Sequence, residues 1–201
     1  MKTINNTIYQ GRLNNGQEYG SRAELIRILS DYAVDVRKKI VELTNIAVGA
    51  HIGGSLSCVE LLIALYFYVL NIKPSNPYWE ERDRFILSKG HSALAFFPIL
   101  AKVGFFPEEK MKTFNQLDSA FGMHPDMHKV PGVEVSTGSL GHGFSIFCEK
   151  GIISDRDIER RDVLKSQGNW MKSFDPEKRN MRVKLKFLSA IIFCVHWHSL
   201  E

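Results

Sequence analysis

Leu25, Ile28, Leu29, Tyr32, Ala33, Val36, Ile40 and Leu43 recur at the i, i+3, i+4 spacing that gives a helix one core-facing stripe. Ser21-Arg22-Ala23-Glu24 precedes them as a capping box, in which the serine oxygen and the glutamate carboxylate satisfy each other's free N–H groups. Gly49 follows as a stop, so the pattern predicts a long amphipathic helix. A second box, Ser57-Cys58-Val59-Glu60, opens the apolar run Leu61–Leu70. That run predicts a helix through about Leu70, apolar nearly all round and therefore buried on most sides. Pro74 and Pro77 then break the chain. Asp83-Arg84-Phe85-Ile86-Leu87-Ser88 reads as a short buried strand, and a helix from about Ser92 to Val103 closes at Gly104. Pro98 inside it predicts a kink or a late start. Pro107-Glu108-Glu109 reads as another helix start, with proline first and acids against the dipole.

Residues 118–132 have the composition of a loop, and Val133-Glu134-Val135 reads as a short strand entering the turn Ser136-Thr137-Gly138-Ser139-Leu140-Gly141-His142-Gly143. Gly143-Phe144-Ser145-Ile146-Phe147 starts like a helix. Strands alternating with helices predict an α/β fold, with a mostly parallel sheet flanked by helices. Residues 1–20 are polar and Asn-rich, which suits a flexible or loosely docked arm. They hold no apolar h-region, so neither a signal peptide nor an anchor is expected there. Beyond Phe147 the character changes. Ser154–Ser166 is a polar helix candidate, Met181–Phe187 alternates apolar residues with basic ones, and Leu188–Val195 is apolar. The chain thus divides into an arm (1–20), a core domain (21–147) and a divergent basic tail (148–201).

Composition narrows the classes of function. The 201 residues are 44% hydrophobic and 24% charged with a net charge of +4, the profile of an ordinary globular protein. Residues 1–147 carry 15 Lys and Arg against 14 Asp and Glu, and residues 148–201 carry 11 against 8. The core domain therefore gives no electrostatic reason to expect nucleic acid. Leu61–Leu70 is too short to span a bilayer. The three distant cysteines Cys58, Cys148 and Cys194 form neither a disulfide framework nor a CxxC knuckle. A cytoplasmic protein without membrane contact is expected.

Chemistry concentrates in three turns that set a histidine beside glycines: His51-Ile52-Gly53-Gly54-Ser55, Leu87-Ser88-Lys89-Gly90-His91, and the stretch ending Gly141-His142-Gly143. Glycine lets backbone approach a ligand, histidine exchanges protons near neutral pH, and α/β sheets bind ligands where loops leave the strands' carboxyl ends. One pocket built from loops is expected. Gly138-x-x-Gly141-x-Gly143 is not the dinucleotide order of glycines. His124 and His128 have metal-ligand spacing on a helix, which Pro125 and the loop context oppose. His196 and His198 lack a second ligand pair nearby, and the basic face of residues 182–186 suits a solvated edge strand.

Gly49-Ala50-His51-Ile52-Gly53-Gly54-Ser55-Leu56-Ser57, Leu87-Ser88-Lys89-Gly90-His91-Ser92-Ala93-Leu94, His124-Pro125 and Pro131-Gly132 through Gly143 together resemble the N-terminal part of transketolase, above all the N-terminal subunit of transketolases split over two chains. The resemblance runs in order over about residues 20–147. It implies a thiamine-diphosphate-binding α/β fold, here truncated, and transfer of a two-carbon ketol unit from a ketose to an aldose. By resemblance, His91 lies near the cofactor diphosphate, Gly138, Ser139 and Leu140 lie against its rings, and His51 and His124 contact sugar hydroxyls and move protons. It also implies sugar-phosphate substrates, a C-terminal subunit or dimer partner, and Mg²⁺ held by a Gly-Asp-Gly aspartate and a later asparagine. No Gly-Asp-Gly occurs in the chain, and Asp155, Asp157 and Asp162 lie in an Arg-rich stretch without that turn. The expectation is a half-site with little activity alone, its tail either the product of a frameshift or truncation, the favoured reading, or a genuine divergent segment that has replaced the metal-binding half. The alternative is a non-catalytic interaction protein that pairs with a transketolase-like partner. A sister thiamine enzyme of the deoxyxylulose-phosphate synthase type fits the Leu87–Ser92 turn less well.

Overall fold

The computed structural model describes residues 10–143, apart from 81, together with Ile146. The helix and strand expected at 154–166 and 181–187, the apolar run 188–195, and His196 and His198 lie outside the described residues. Two strands, β1 (Gly11–Arg12) and β2 (Glu18–Tyr19), precede the long helix α1 (Arg22–Ala47). Ser21 caps α1 in an extended conformation, its Oγ accepting from the Glu24 N–H at 3.1 Å. The Glu24 carboxylate accepts from the Gly20 N–H at 2.8 Å, so the reciprocal bond of the box reaches one residue beyond the cap. Leu25, Ile28, Ala33, Val36, Ile40 and Leu43 of the predicted stripe are buried, while Leu29 and Tyr32 pack partly buried against the core. The helix leaves its axis at Val48, which takes a left-handed φ of 55° one residue before Gly49. A β-branched residue is strained there, and Val48 projects almost wholly into solvent.

The second capping box does not form. Ser57 Oγ donates instead to the Gly54 carbonyl at 2.9 Å and accepts from Lys89 Nζ, and Glu60 pairs with Arg37 at 2.5 Å. A short helix α2 (Ile52–Leu56) therefore ends before α3 (Val59–Ile63) begins, with Cys58 at its cap making no side-chain capping bond. From Ala64 to Val69 the helix widens to π geometry, closed where the Leu70 N–H reaches the Leu65 carbonyl at 2.8 Å. Wider bonding displaces the carbonyls of this turn from their usual partners, and Asn14 takes up two of them together with that of Leu70 just after it. Its backbone N–H bonds Phe67, and its Nδ2 bonds Tyr66 at 2.6 Å and Leu70 at 2.8 Å. β1 and β2 pair antiparallel, Gly11 opposite Tyr19, around a buried Leu13. In residues 10–20 the expected loose arm is thus a docked hairpin, held because it satisfies the π turn.

Helix α4 (Ala93–Val103) follows a 3-10 turn at Gly90–Ser92 and ends at Gly104, whose φ is 111°. Pro98 sits inside it without an N–H for the Leu94 carbonyl. Its faces meet aromatic rings on both sides: Phe96 lies 5.5 Å from Tyr66 and Phe97 lies 5.3 Å from Phe121, centroid to centroid. Pro107 stands as the cap, one position earlier than expected, of a 3-10 rather than an α-helix at Glu108–Thr113. Residues 118–132 run as turns and loop. The β1–β2 hairpin is the only sheet among the described residues. Segments 83–88 and 133–137 are extended side by side, linked by a forked Arg82–Glu134 pair at 2.7 and 2.8 Å and by Thr137 Oγ1 donating to the Leu87 carbonyl at 2.7 Å. They make no strand ladder, so the expected parallel sheet is not formed among the described residues. Among those residues no helix is long and apolar enough to cross a membrane.

Asn14→Ala should lower stability by about 1–3 kcal/mol, the cost of leaving partly buried carbonyls unpaired, read as the midpoint of urea unfolding followed by circular dichroism. An unchanged midpoint would mean that the π turn holds without the hairpin.

Candidate functional site

The Gly54 carbonyl ties the first two histidine turns together. It accepts from Lys89 Nζ at 3.1 Å, Ser92 Oγ at 2.9 Å and Ser57 Oγ at 2.9 Å. Lys89 is only 4% exposed, and no carboxylate pairs with it among the described residues, so these oxygens carry the whole load of its buried ammonium. Ser55, fully buried, donates to the His51 carbonyl at 2.8 Å and lies 3.5 Å from that of His91. One hydroxyl thus links the backbones of two histidines distant in sequence.

Glycines bring in the third turn. A Cβ on Gly90 would stand 2.5 Å from the Thr137 carbonyl oxygen, and one on Gly143 would stand 2.9 Å from Ser88 Cα. Both contacts are with backbone that cannot give way, so each position requires a bare Cα. Gly141, at φ 83°, donates its N–H to the Ser88 carbonyl at 3.2 Å. His91 follows Gly90 and Gly138 follows Thr137, so the contact places the two turns against each other.

His51, His91 and His124 converge at this junction. Ring centroids lie 4.7 Å apart for His51–His91, 4.7 Å for His91–His124 and 5.9 Å for His51–His124. One ring nitrogen of each lies within 4.8 Å of the other two. His91 Nδ1 is buried without a hydrogen-bond partner among the described residues. Burial, and then the neighbouring His124, His51 and Lys89, push the His91 pKa below its ordinary value; burial and His51 do the same for His124. These two rings are therefore neutral near pH 7 and can accept a proton or donate a hydrogen bond. His128 is exposed and outside the group, so the helical His124/His128 pairing is not realised.

The other residues singled out from the sequence form an open wall. A Cβ on Gly138 would meet nothing within 4 Å, Ser139 is exposed, and Leu140 is 40% exposed. The side chains that sequence reasoning gave no role are Lys89, Ser55, Ser92 and Thr137, which assemble the site rather than face it. A lysine at the end of an otherwise buried apolar segment was the available signal, because such a charge requires polar partners.

A family model described as transketolase, thiamine diphosphate binding domain, matches residues 26–158, past Phe147. An apulose-4-phosphate transketolase subunit of Actinobacillus succinogenes is 40% identical over 142 residues, which are 70% of this chain and 51% of that protein. A 6-deoxy-6-sulfo-D-fructose transketolase subunit of a Clostridium species is 48% identical over 104 residues, 52% of this chain and 38% of that one. The solved transketolase of Leishmania mexicana superposes with a TM-score of 0.56 at 28% identity, over 58% of this chain and 18% of that one. The chain spans about half the length, or less, of these relatives. The likeness extends to the α/β thiamine-diphosphate-binding fold.

Gly90→Ala should separate the second and third turns and lower the melting temperature. Gly138→Ala, which meets open space, should leave it within about a degree or two; equal effects would show that the Gly90 contact is not tight. The lowered His91 and His124 values mean that the unfolded chain binds more protons in mild acid. Stability should therefore be fully present above the unfolded histidine pKa, about 6.5, and fall as pH drops through the folded values. Melting temperatures between about pH 7.5 and 5 measure this. A flattened profile in the double variant H91Q/H124Q would assign the fall to these rings, and an unaltered one would assign it elsewhere.

Proposed function

This chain belongs to the transketolase family through its thiamine diphosphate binding domain, and we propose that it supplies one wall of a site for two-carbon ketol transfer from a ketose to an aldose. The observation that carries the reading is the meeting of His51, His91 and His124, from three separate stretches, beside the open Gly138–Leu140 turn. An unpartnered buried imidazole nitrogen and an uncovered glycine wall suit a polar heteroaromatic cofactor. In this reading Gly138, Ser139 and Leu140 lie along the cofactor rings, and His91 stands toward its diphosphate. His51 and His124 contact the sugar hydroxyls and carry protons to and from them. Thiamine diphosphate, when bound, supplies the carbanion chemistry that breaks the bond next to the ketose carbonyl. The protein's part is to orient the sugar and to keep His91 and His124 neutral, so that a hydroxyl proton has an acceptor.

The fit stops at the metal. Mg²⁺ prefers oxygen ligands, and the three-histidine group contains none, while Gly-Asp-Gly is missing from the sequence. We therefore read the family's Mg²⁺ ligands as missing from this chain, and the chain as weakly active or inactive by itself. Segments 83–88 and 133–137, which make no ladder with each other, are read as the positions that strands of the mostly parallel sheet take in this fold. The two curated relatives above are named as subunits, which supports a partner chain for this one, with sugar phosphates as substrates. A frameshift of the tail from about Phe147 is tested by the other two reading frames of the coding DNA; neither frame restoring Gly-Asp-Gly and a downstream asparagine after codon 147 would end that idea.

Calorimetric titration with thiamine diphosphate, with and without Mg²⁺, tests the half-site. Weak, Mg²⁺-independent binding is expected, and micromolar Mg²⁺-dependent binding would overturn it. Mixed with a C-terminal transketolase subunit, the chain should gain ketol transfer. A stable complex without turnover would favour the non-catalytic pairing role instead.

A further inference from the structure

We propose that His51, His91 and His124 bind one divalent transition-metal ion of the Zn²⁺ class, each through one ring nitrogen, with a fourth position open to solvent. Its all-nitrogen donor set differs from the oxygen set that Mg²⁺ prefers, and the proposal stands whether or not the chain takes part in ketol transfer. Three nitrogens from three segments lie within 4.8 Å of one another. Tetrahedral Zn²⁺, at about 2.0–2.1 Å per nitrogen, sets its ligands about 3.4 Å apart. The rings therefore need to close by roughly 1.5 Å at most to meet that geometry, a movement that side-chain torsions supply. His51 is exposed and His124 half-buried, so both rings have room to turn. His91 is the least free of the three to turn, because its ring sits with Nδ1 buried.

Two of the ligand backbones are tied together: Ser55 Oγ donates to the His51 carbonyl and lies 3.5 Å from that of His91. The donor set then selects the metal. Imidazole nitrogens suit Zn²⁺, Cu²⁺, Ni²⁺ and Co²⁺, whereas Mg²⁺ and Ca²⁺ prefer oxygens. Three histidines with a free fourth position are also the ligand pattern of an open zinc site rather than a closed structural one. Buried Lys89 beside the group opposes a cation, and no carboxylate among the described residues joins it, so the affinity should be micromolar rather than tighter.

The test uses the full chain free of cofactor. Calorimetric titration with ZnCl₂ should give one ion per chain, and CoCl₂ should give the intense visible bands of tetrahedral Co²⁺. H51Q and H124Q should each weaken Zn²⁺ binding by more than about tenfold, beyond the smallest loss caused by changing a group that merely supports a ligand, with unchanged far-ultraviolet circular dichroism. H128Q and the double variant H196Q/H198Q should bind as the parent does. Absence of saturable binding, parent-like affinity in H51Q and H124Q, or loss of binding in H196Q/H198Q would each overturn the site. Failure here leaves the thiamine diphosphate titration untouched, so the two readings fall separately.

Discussion

The ammonium of Lys89 is taken out of water with no carboxylate among the described residues to receive it, and what it bonds instead is the Gly54 carbonyl and the Ser57 hydroxyl. A buried charge tolerates this only if its hydrogen bonds are kept, so the first turn cannot drift from the second without stranding a cation. The loss of the Ser57 capping box follows directly. That hydroxyl is committed to Gly54 and Lys89, the helix must restart at Val59, and the α2–α3 break leaves His51 at the head of its own short helix. Position of the histidine and irregularity of the helix are two results of one polar contact.

The third turn is held by a different device. Gly90 against Thr137 and Gly143 against Ser88 are close backbone approaches, which only a missing Cβ permits. Close to the far end of the same pair of segments, the Arg82–Glu134 fork is mostly shielded from solvent, where bidentate geometry adds direction as well as energy. Between these points lies the Thr137 Oγ1 bond to the Leu87 carbonyl. Side chains and bare Cα atoms thus align two segments that have no ladder between them. The junction is specific about where His91 and Gly138 sit, although it buries few backbone hydrogen bonds.

Legibility in the sequence followed the range of the interaction. Helix α1 was readable because its stripe and its cap are local, and the one residue by which Glu24 overshoots is a detail of side-chain reach. The π turn at Ala64–Val69 was not, since an all-apolar run carries no periodicity to separate i+4 from i+5 bonding. Nor was Asn14, whose partners Tyr66 and Leu70 are more than fifty residues away. The extended segments 83–88 and 133–137 were readable as strand-like, but their pairing depends on neighbours that no local pattern names. The three histidines were found through glycine-rich motifs rather than through any property of a lone histidine. Ser57 misled because its signal was real and was outcompeted.

What the pocket offers to any ligand is a small number of imidazole lone pairs. Burial disfavours protonated His91 and His124, and the Lys89 charge disfavours it further at His91. Neutral imidazole nitrogens suit both proposed roles, accepting a proton from a hydroxyl and ligating a transition-metal cation. A lone pair serves one partner at a time, so the two proposals compete for the same nitrogens. Lys89 then acts on the two asymmetrically. Its charge weakens the hold on a dication, whereas toward a neutral hydroxyl it only lowers the basicity of the receiving ring. The lysine that builds the pocket therefore costs a metal ion more than a neutral ligand.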